Sequence, residues 1–188
     1  LDADVDAGAV AATRKFDITE FDTIQSLYYK VSLSIEEMLL EVIPPILRGE
    51  HAFEPQDGEP TYYPKRTPED GELHWGESTA DIYNLVRAVT DPYPGAFTFQ
   101  DGTRIDIWSL RPFSADFGAD AAPGEILAAF HTDEFVVATP DGSVLVTDWA
   151  AEGWQPEAGM VFESAGDHGR VDGIEQKQHL TTSEAADD

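Results

Sequence analysis

The sequence contains no cysteine, which excludes a disulfide framework and any thiolate metal site. Positive charge is scarce. Lys and Arg total 11 against 37 Asp and Glu, for a formal net charge of −26, and Lys15, Lys30, Lys65 and Lys177 are its only lysines. Binding to a phosphate backbone needs clustered Lys and Arg, so a nucleic-acid groove is disfavoured. No apolar run approaches the ~20 residues that span a bilayer, so no membrane partner is expected. A basic segment followed by an apolar one, the mark of a secretory signal, is missing from the start, which reads Leu1-Asp2 without methionine. Walker loops, GxSxG elbows and HExxH motifs are also missing. The histidines His51, His74, His131, His168 and His179 are scattered, with no second ligand at metal spacing, so no metal is expected.

What is present first is acid. A net charge of about 2–8 is ordinary for a small domain, so this surface repels itself in dilute buffer. In molar salt the Debye length falls to ~3 Å and the repulsion is screened. Acid spread along the whole chain, with few lysines, favours a protein of a high-salt cytosol over a merely acidic one. Its expected location is cytoplasmic.

Hydrophobic periodicity divides the chain. Asp6-Ala7-Gly8 is turn chemistry, and Ala9 to Ala12 is a short apolar run that fits the edge of a sheet. Asp22 is a candidate N-cap, with Gln25 three positions on. Ile24, Leu27, Tyr28, Val31, Ile35, Met38, Leu39, Val42 and Ile46 then recur at helical spacing. Pro44-Pro45 is expected to kink or break this helix, and Gly49 to stop it. Residues 50–72, rich in Pro, Gly and acid, read as a linker. Ser78 and Asp81 form a capping-box pattern before Ile82, Leu85, Val86 and Val89 on one helical face. From Ala96 the period changes to two. Asp101-Gly102 marks one hairpin and Asp141-Gly142 a second, with strands over 124–130 and 135–139. Short, evenly spaced strands predict a small barrel. After Phe162 the periodicity is lost, and the acidic end is expected to be disordered.

Few of these residues carry chemistry by pattern alone. Asp6 is the best single catalytic candidate, because a carboxylate in a loop before a strand could keep a neighbouring histidine protonated. On spacing alone it reads first as a turn aspartate satisfying its own backbone. His74 reads as a surface or partly packed histidine, and Trp75, Tyr83 and Trp108 read as core. Arg87 could be an ion-pair partner or a ligand contact.

Two stretches add more. One is Asp6-Ala7-Gly8-Ala9-Val10. The other runs from Lys65-Arg66-Thr67-Pro68-Glu69-Asp70-Gly71 through Trp75 and Tyr83-Asn84-Leu85-Val86-Arg87-Ala88 to Pro92-Tyr93-Pro94-Gly95-Ala96-Phe97. Together they resemble the formyltransferases that use 10-formyltetrahydrofolate, the group of methionyl-tRNA formyltransferase. The wording is closest to the sugar-nucleotide formyltransferases, and the resemblance runs from residue 1 to about residue 149.

The resemblance implies an α+β chain. Residues 1–50 would be the C-terminal edge, a strand and a long helix, of a Rossmann-like catalytic domain. Residues 51–72 would be a linker, 73–162 an OB-like β-barrel domain and 163–188 an acidic tail. It also implies a chemistry in which a substrate amine attacks the formyl carbon of 10-formyltetrahydrofolate. An Asn stabilises the oxyanion, a His shuttles the proton and an Asp orients the His. Asp6 matches that Asp, and Asp2-Ala3-Asp4-Val5-Asp6 matches the folate-contacting loop. The family's Asn-x-His segment occurs nowhere in this sequence, so the chain is expected to be the C-terminal part of such an enzyme and inactive alone. The expected acceptor is an amine-bearing small molecule, an amino-sugar nucleotide, ahead of methionyl-tRNA. A non-catalytic OB-like binding or partner module is the rival from another class.

Overall fold

The computed structural model describes residues 6–59, 61, 63–117 and 120–163. Asp2, Ala3, Asp4 and Val5 of the expected folate loop lie outside the described residues, as does the tail beyond Glu163. The chain forms two compact units that part between residues 62 and 63.

The first unit is built around helix α1 (Ile24–Leu47). Its N-cap is Thr23 rather than Asp22. The Ser26 amide donates to Thr23 Oγ1 at 3.3 Å and the Thr23 amide to Ser26 Oγ at 3.0 Å, a reciprocal capping box. Asp22 has a different task one residue earlier. It accepts from the Thr19 amide at 2.7 Å, from Ser26 Oγ at 2.7 Å and from Lys30 Nζ at 2.6 Å. The Lys30 ammonium first, then the Thr19 amide and the Ser26 hydroxyl, hold its carboxyl well below the usual carboxylate range.

Pro44 and Pro45 do not break α1, which runs through both. Each lacks the N–H for its own i→i−4 bond, but they fall in the last turn, with only Ile46 and Leu47 after them in the helix. The chain then folds back, with the Arg48 and Glu50 amides on the Pro45 carbonyl and the Gly49 amide on that of Ile46. None of α1's residues is buried. Before the helix, the apolar run at 9–12 makes, among the described residues, a single bridge, Val10 with Glu54.

The second unit opens with a short 3₁₀ turn, Pro68–Gly71, and helix α2 (Thr79–Val89). Ser78 caps α2, its hydroxyl accepting from the Asp81 amide at 3.1 Å. Strands β1 (Ala96–Gln100), β2 (Thr103–Ser114), β3 (Ile126–Ala129), β4 (Phe135–Thr139) and β5 (Gly142–Ala150) form one antiparallel sheet in the order β1-β2-β5-β4-β3. The unit is therefore α+β. The long β2 serves two neighbours. Its first half pairs with β1 across the Asp101-Gly102 turn, and its second half pairs with β5. Residues after β5 bridge both ends of the sheet order: the Glu163 amide donates to Phe99 O of β1 at 2.8 Å, and the Ile126 amide of β3 donates to Met160 O at 2.8 Å.

The second hairpin differs from expectation. Gly142 pairs with Thr139 in the β4–β5 ladder, so Pro140-Asp141 makes the turn. Glycine stands at 142 for closeness, since a Cβ there would come 2.8 Å from the Ser114 carbonyl oxygen.

One face of α2, through Ile82, Leu85 and Val86, packs into a core with Trp75, Ile105, Ile107, Phe135, Val144 and Val146. Each such side chain contributes roughly 1.5–3 kcal/mol of burial. Trp75 stacks on Phe162 at 5.2 Å, and Phe135 meets the edge of Trp154 at 5.9 Å, so aromatic rings pack on one another within this core.

Candidate functional site

In the first unit, Asp6 sits in a turn with φ 57°. That left-handed backbone is uncommon for a side chain other than glycine, though Asp tolerates it. The segment 51–56, expected to be linker, holds the loop in place. Gln56 Nε2 donates to the Asp6 carbonyl at 2.7 Å and to the Gly8 carbonyl at 2.6 Å. Val10 and Glu54 exchange backbone hydrogen bonds of 2.8 and 2.9 Å. His51 Nε2–H donates to the Ala11 carbonyl at 2.9 Å, while its ring meets Phe53 edge-on at 5.0 Å. Contacts at Asp6, Gly8, Val10 and Ala11 thus fasten one short stretch to another. The Asp6 residue itself is exposed. An exposed carboxylate on a fixed backbone can orient or charge-stabilise a protonated partner, but it needs that partner brought to it. Sequence reasoning named Asp6 and missed Gln56 and His51. The signal for them was polar residues at the start of a segment otherwise read as Pro- and acid-rich linker.

In the second unit, the Lys65–Phe97 stretch forms a structural frame. The Thr67 amide donates to Asp70 Oδ2 at 2.7 Å, closing the 3₁₀ turn. The Thr67 hydroxyl beside Glu69, and then a backbone amide, hold the Glu69 carboxyl below its ordinary value. The Leu73 amide donates to the Phe97 carbonyl at 2.8 Å, and Trp75 Nε1 donates to Thr98 Oγ1 at 2.9 Å in the buried interior. Arg87 donates to Asn84 Oδ1 at 2.9 Å and lies 5.5 Å over the Tyr83 ring, a set of contacts within its own helix. Trp75 is fully buried, whereas Tyr83 and Trp108 are partly buried.

The hollows of this unit lie elsewhere. A groove of about 360 Å³ is lined by Phe113, Phe117, Leu127, Ala128, Phe130 and Val136. Another, of about 370 Å³, is lined by Asp133, Asp148, Trp149 and Gln155 among others. Among the described residues, no three His, Asp or Glu side chains come together as a metal site, and no helix is long and apolar enough to cross a membrane.

Residues 65–162 match the family described as formyl transferase, C-terminal domain. The chain belongs to this family. The frame from the 3₁₀ turn to the closing segment at Phe162 is thus the formyl transferase C-terminal domain. Structural neighbours point the same way. HypX from Aquifex aeolicus, in a multiply substituted variant, superposes with a TM-score of 0.66 at 27% identity, over 79% of this chain and 26% of its own. HypX in complex with tetrahydrofolic acid superposes with a TM-score of 0.66 at 26% identity, over 80% of this chain and 26% of its own. The superposed share of this chain exceeds what the formyl transferase C-terminal domain alone supplies. The chain spans about a quarter of the length of the HypX chains it matches.

Proposed function

We propose that this chain is one part of an enzyme that moves a formyl group from 10-formyltetrahydrofolate to a substrate amine. The observation that carries the reading is the family match over 65–162, together with a structural likeness that continues beyond it into a tetrahydrofolate-binding neighbour. In this reading, residues 1–50 are the last strand and helix of a Rossmann-like catalytic domain. The sheet bridged at both edges by residues 159–163 is an OB-like barrel. The exposed apolar side chains of α1 support the first point. Leu40 is 72% exposed and Leu47 81%, and a helix apolar on several faces is normally covered by protein.

Asp6 takes the role of orienting and charging a proton-shuttling histidine. The residues bonded to its loop, Gln56 foremost, keep the backbone in place. The oxyanion-stabilising Asn and the His come from sequence other than this stretch. Without an oxyanion donor alone the rate would fall by about 10²–10³, so the chain by itself does not turn over. The acceptor is a small amine, with an amino-sugar nucleotide placed ahead of methionyl-tRNA because the acidic surface lacks a basic tract for RNA.

The test is formyl transfer from 10-formyltetrahydrofolate at molar potassium chloride. Acceptors are an amino-sugar nucleotide and methionyl-tRNA, assayed with this chain and with the complete product of its gene. We expect transfer by the complete product to the amino sugar and none by the chain. Transfer by the chain alone would overturn the need for outside residues. No transfer by either would overturn the formyltransferase reading.

A further inference from the structure

We propose that Gln56 is a positioning residue that sets the direction of the Asp6 carboxylate; its bearing on the reaction rests on the function proposed above. Three observations meet at this loop. Asp6 adopts a left-handed backbone at φ 57°, uncommon for a residue other than glycine though tolerated by Asp, which local contacts can help to hold. One carboxamide, Gln56 Nε2, reaches two carbonyls of the turn, Asp6 O at 2.7 Å and Gly8 O at 2.6 Å. The same segment is anchored to the residues after the turn by the Val10–Glu54 backbone pair and by His51 on Ala11 O.

The division of labour follows from the chemistry. The Val10–Glu54 pair and His51 register the two stretches against each other, downstream of the turn. Among the described residues, Gln56 is the one whose side chain hydrogen-bonds Asp6 and Gly8 themselves. A carboxamide has two N–H donors, so a single side chain can tie both carbonyls across Ala7 and fix the rotation of the peptide units on either side. The Cα–Cβ direction of Asp6 is set by that rotation. A small misplacement of a catalytic group, of the order of 1 Å, can cost about 10² in rate, so a residue that never meets substrate can still govern turnover.

The variants are Gln56→Ala and Gln56→Glu. Glutamate keeps the length and shape but, ionised, offers no donor to either carbonyl, which it would instead repel. The first measurement uses this chain at molar potassium chloride: backbone NMR shifts of Asp6, Ala7 and Gly8, with those of α2 and the Asp101-Gly102 hairpin as controls. We expect both variants to move the three loop residues and leave the controls in place. In Gln56→Glu we also expect the loop shifts to return toward those of the parent as pH falls through about 4.3, the ordinary glutamate value. Protonated glutamic acid regains one donor, a signature that loss of packing would not give. Loop shifts unchanged in both variants, or a pH-independent Gln56→Glu, would overturn the clamp.

The second measurement uses the complete gene product. We expect kcat to fall by about 10- to 100-fold with KM for the folate donor within about twofold, the pattern of a misaimed group. Loop shifts that move while kcat stays constant would overturn the positioning role. An inactive parent protein would instead count against the function proposed above, and the loop shifts would still decide whether Gln56 holds the turn.

Discussion

Gly71 and Gly95 lie where the 3₁₀ turn crosses the entry to β1. A Cβ on Gly71 would sit 2.7 Å from the Gly95 carbonyl oxygen, which is backbone and cannot swing aside. Gly95 has φ +88°, and a Cβ there would come 2.8 Å from Trp108 Nε1. Trp108 has room to lie there because β2 bulges at that point, its pairing with β5 jumping from Ile107 to Ser109. Two glycines and a tryptophan therefore share one close crossing, and the spacing of the Lys65–Phe97 stretch follows from it. Gly71→Ala should lower stability by about 1–3 kcal/mol, the usual cost of forcing atoms into a filled space, read as a fall in the urea midpoint at fixed m-value. Gly76→Ala makes the control, since a Cβ there meets nothing within 4 Å. Equal midpoints for the two variants would show that the crossing is not tight.

Among the elements, α2 shows how a helix in the second unit is held at its start. Its N-cap Ser78 is local, but a second acceptor arrives from the β4–β5 turn 62 residues away: Asp141 Oδ1 accepts from the Thr79 amide at 2.7 Å and from Thr79 Oγ1 at 2.8 Å. The Thr79 amide, then its hydroxyl, hold the Asp141 carboxyl below its ordinary value, as expected for an anion at a helix N-terminus. A depressed folded-state value means that stability from Asp141 is present above the unfolded value of about 3.9 and is lost as pH falls through the folded one. Because Asp141 is exposed, solvent screening keeps the effect small. Asp141→Asn should cost about 0.5–1 kcal/mol at pH 7, with the gap closing below about pH 4. Urea titrations of both proteins across that range check it, and a gap that persists at low pH would remove the charge from the explanation.

At this scale the sequence was legible where the signal was local. Ser78, the Ile82–Val86 face and the Asp101-Gly102 turn were all readable. It was not legible where the partner was distant. Nothing near Gly142 announces the Ser114 carbonyl that excludes a side chain there, and nothing near Gln56 announces Asp6, 50 residues earlier. The Asp22 N-cap expectation and the expected break at Pro44-Pro45 failed for different reasons. Side chains beyond the simple pattern, Ser26 and Lys30, claimed Asp22, and the two prolines stand so near the end of α1 that only Ile46 and Leu47 follow them in the helix.

The whole molecule is dominated by its net charge of −26. Among the described residues, Arg14 meets Glu37 and Glu41, Lys30 meets Asp22, Arg48 meets Glu50 and Arg104 meets Asp106. Arg104 also lies 3.8 Å over the Phe97 ring. Even with every cation paired, 11 cannot balance 37 carboxylates. Apart from the Lys30 pair, whose Asp22 is buried, these are exposed pairs worth only ~0–1 kcal/mol each, so they offset little of a repulsion summed over the surface. Since that repulsion acts in the compact state more than in the expanded one, folding should weaken as it grows. The Debye length shortens from ~10 Å at 0.1 M salt to ~3 Å at 1 M, so most of the rescue should come within that interval. Circular dichroism should show loss of folded structure as potassium chloride is lowered from molar to millimolar, and the thermal midpoint should rise steeply with salt. Sucrose at equal osmolality strengthens burial without screening charge, so it should rescue far less. A spectrum that does not change from molar to millimolar salt would mean that the excess acid is merely tolerated, and that no dependence on high salt is written into the stability of this fold.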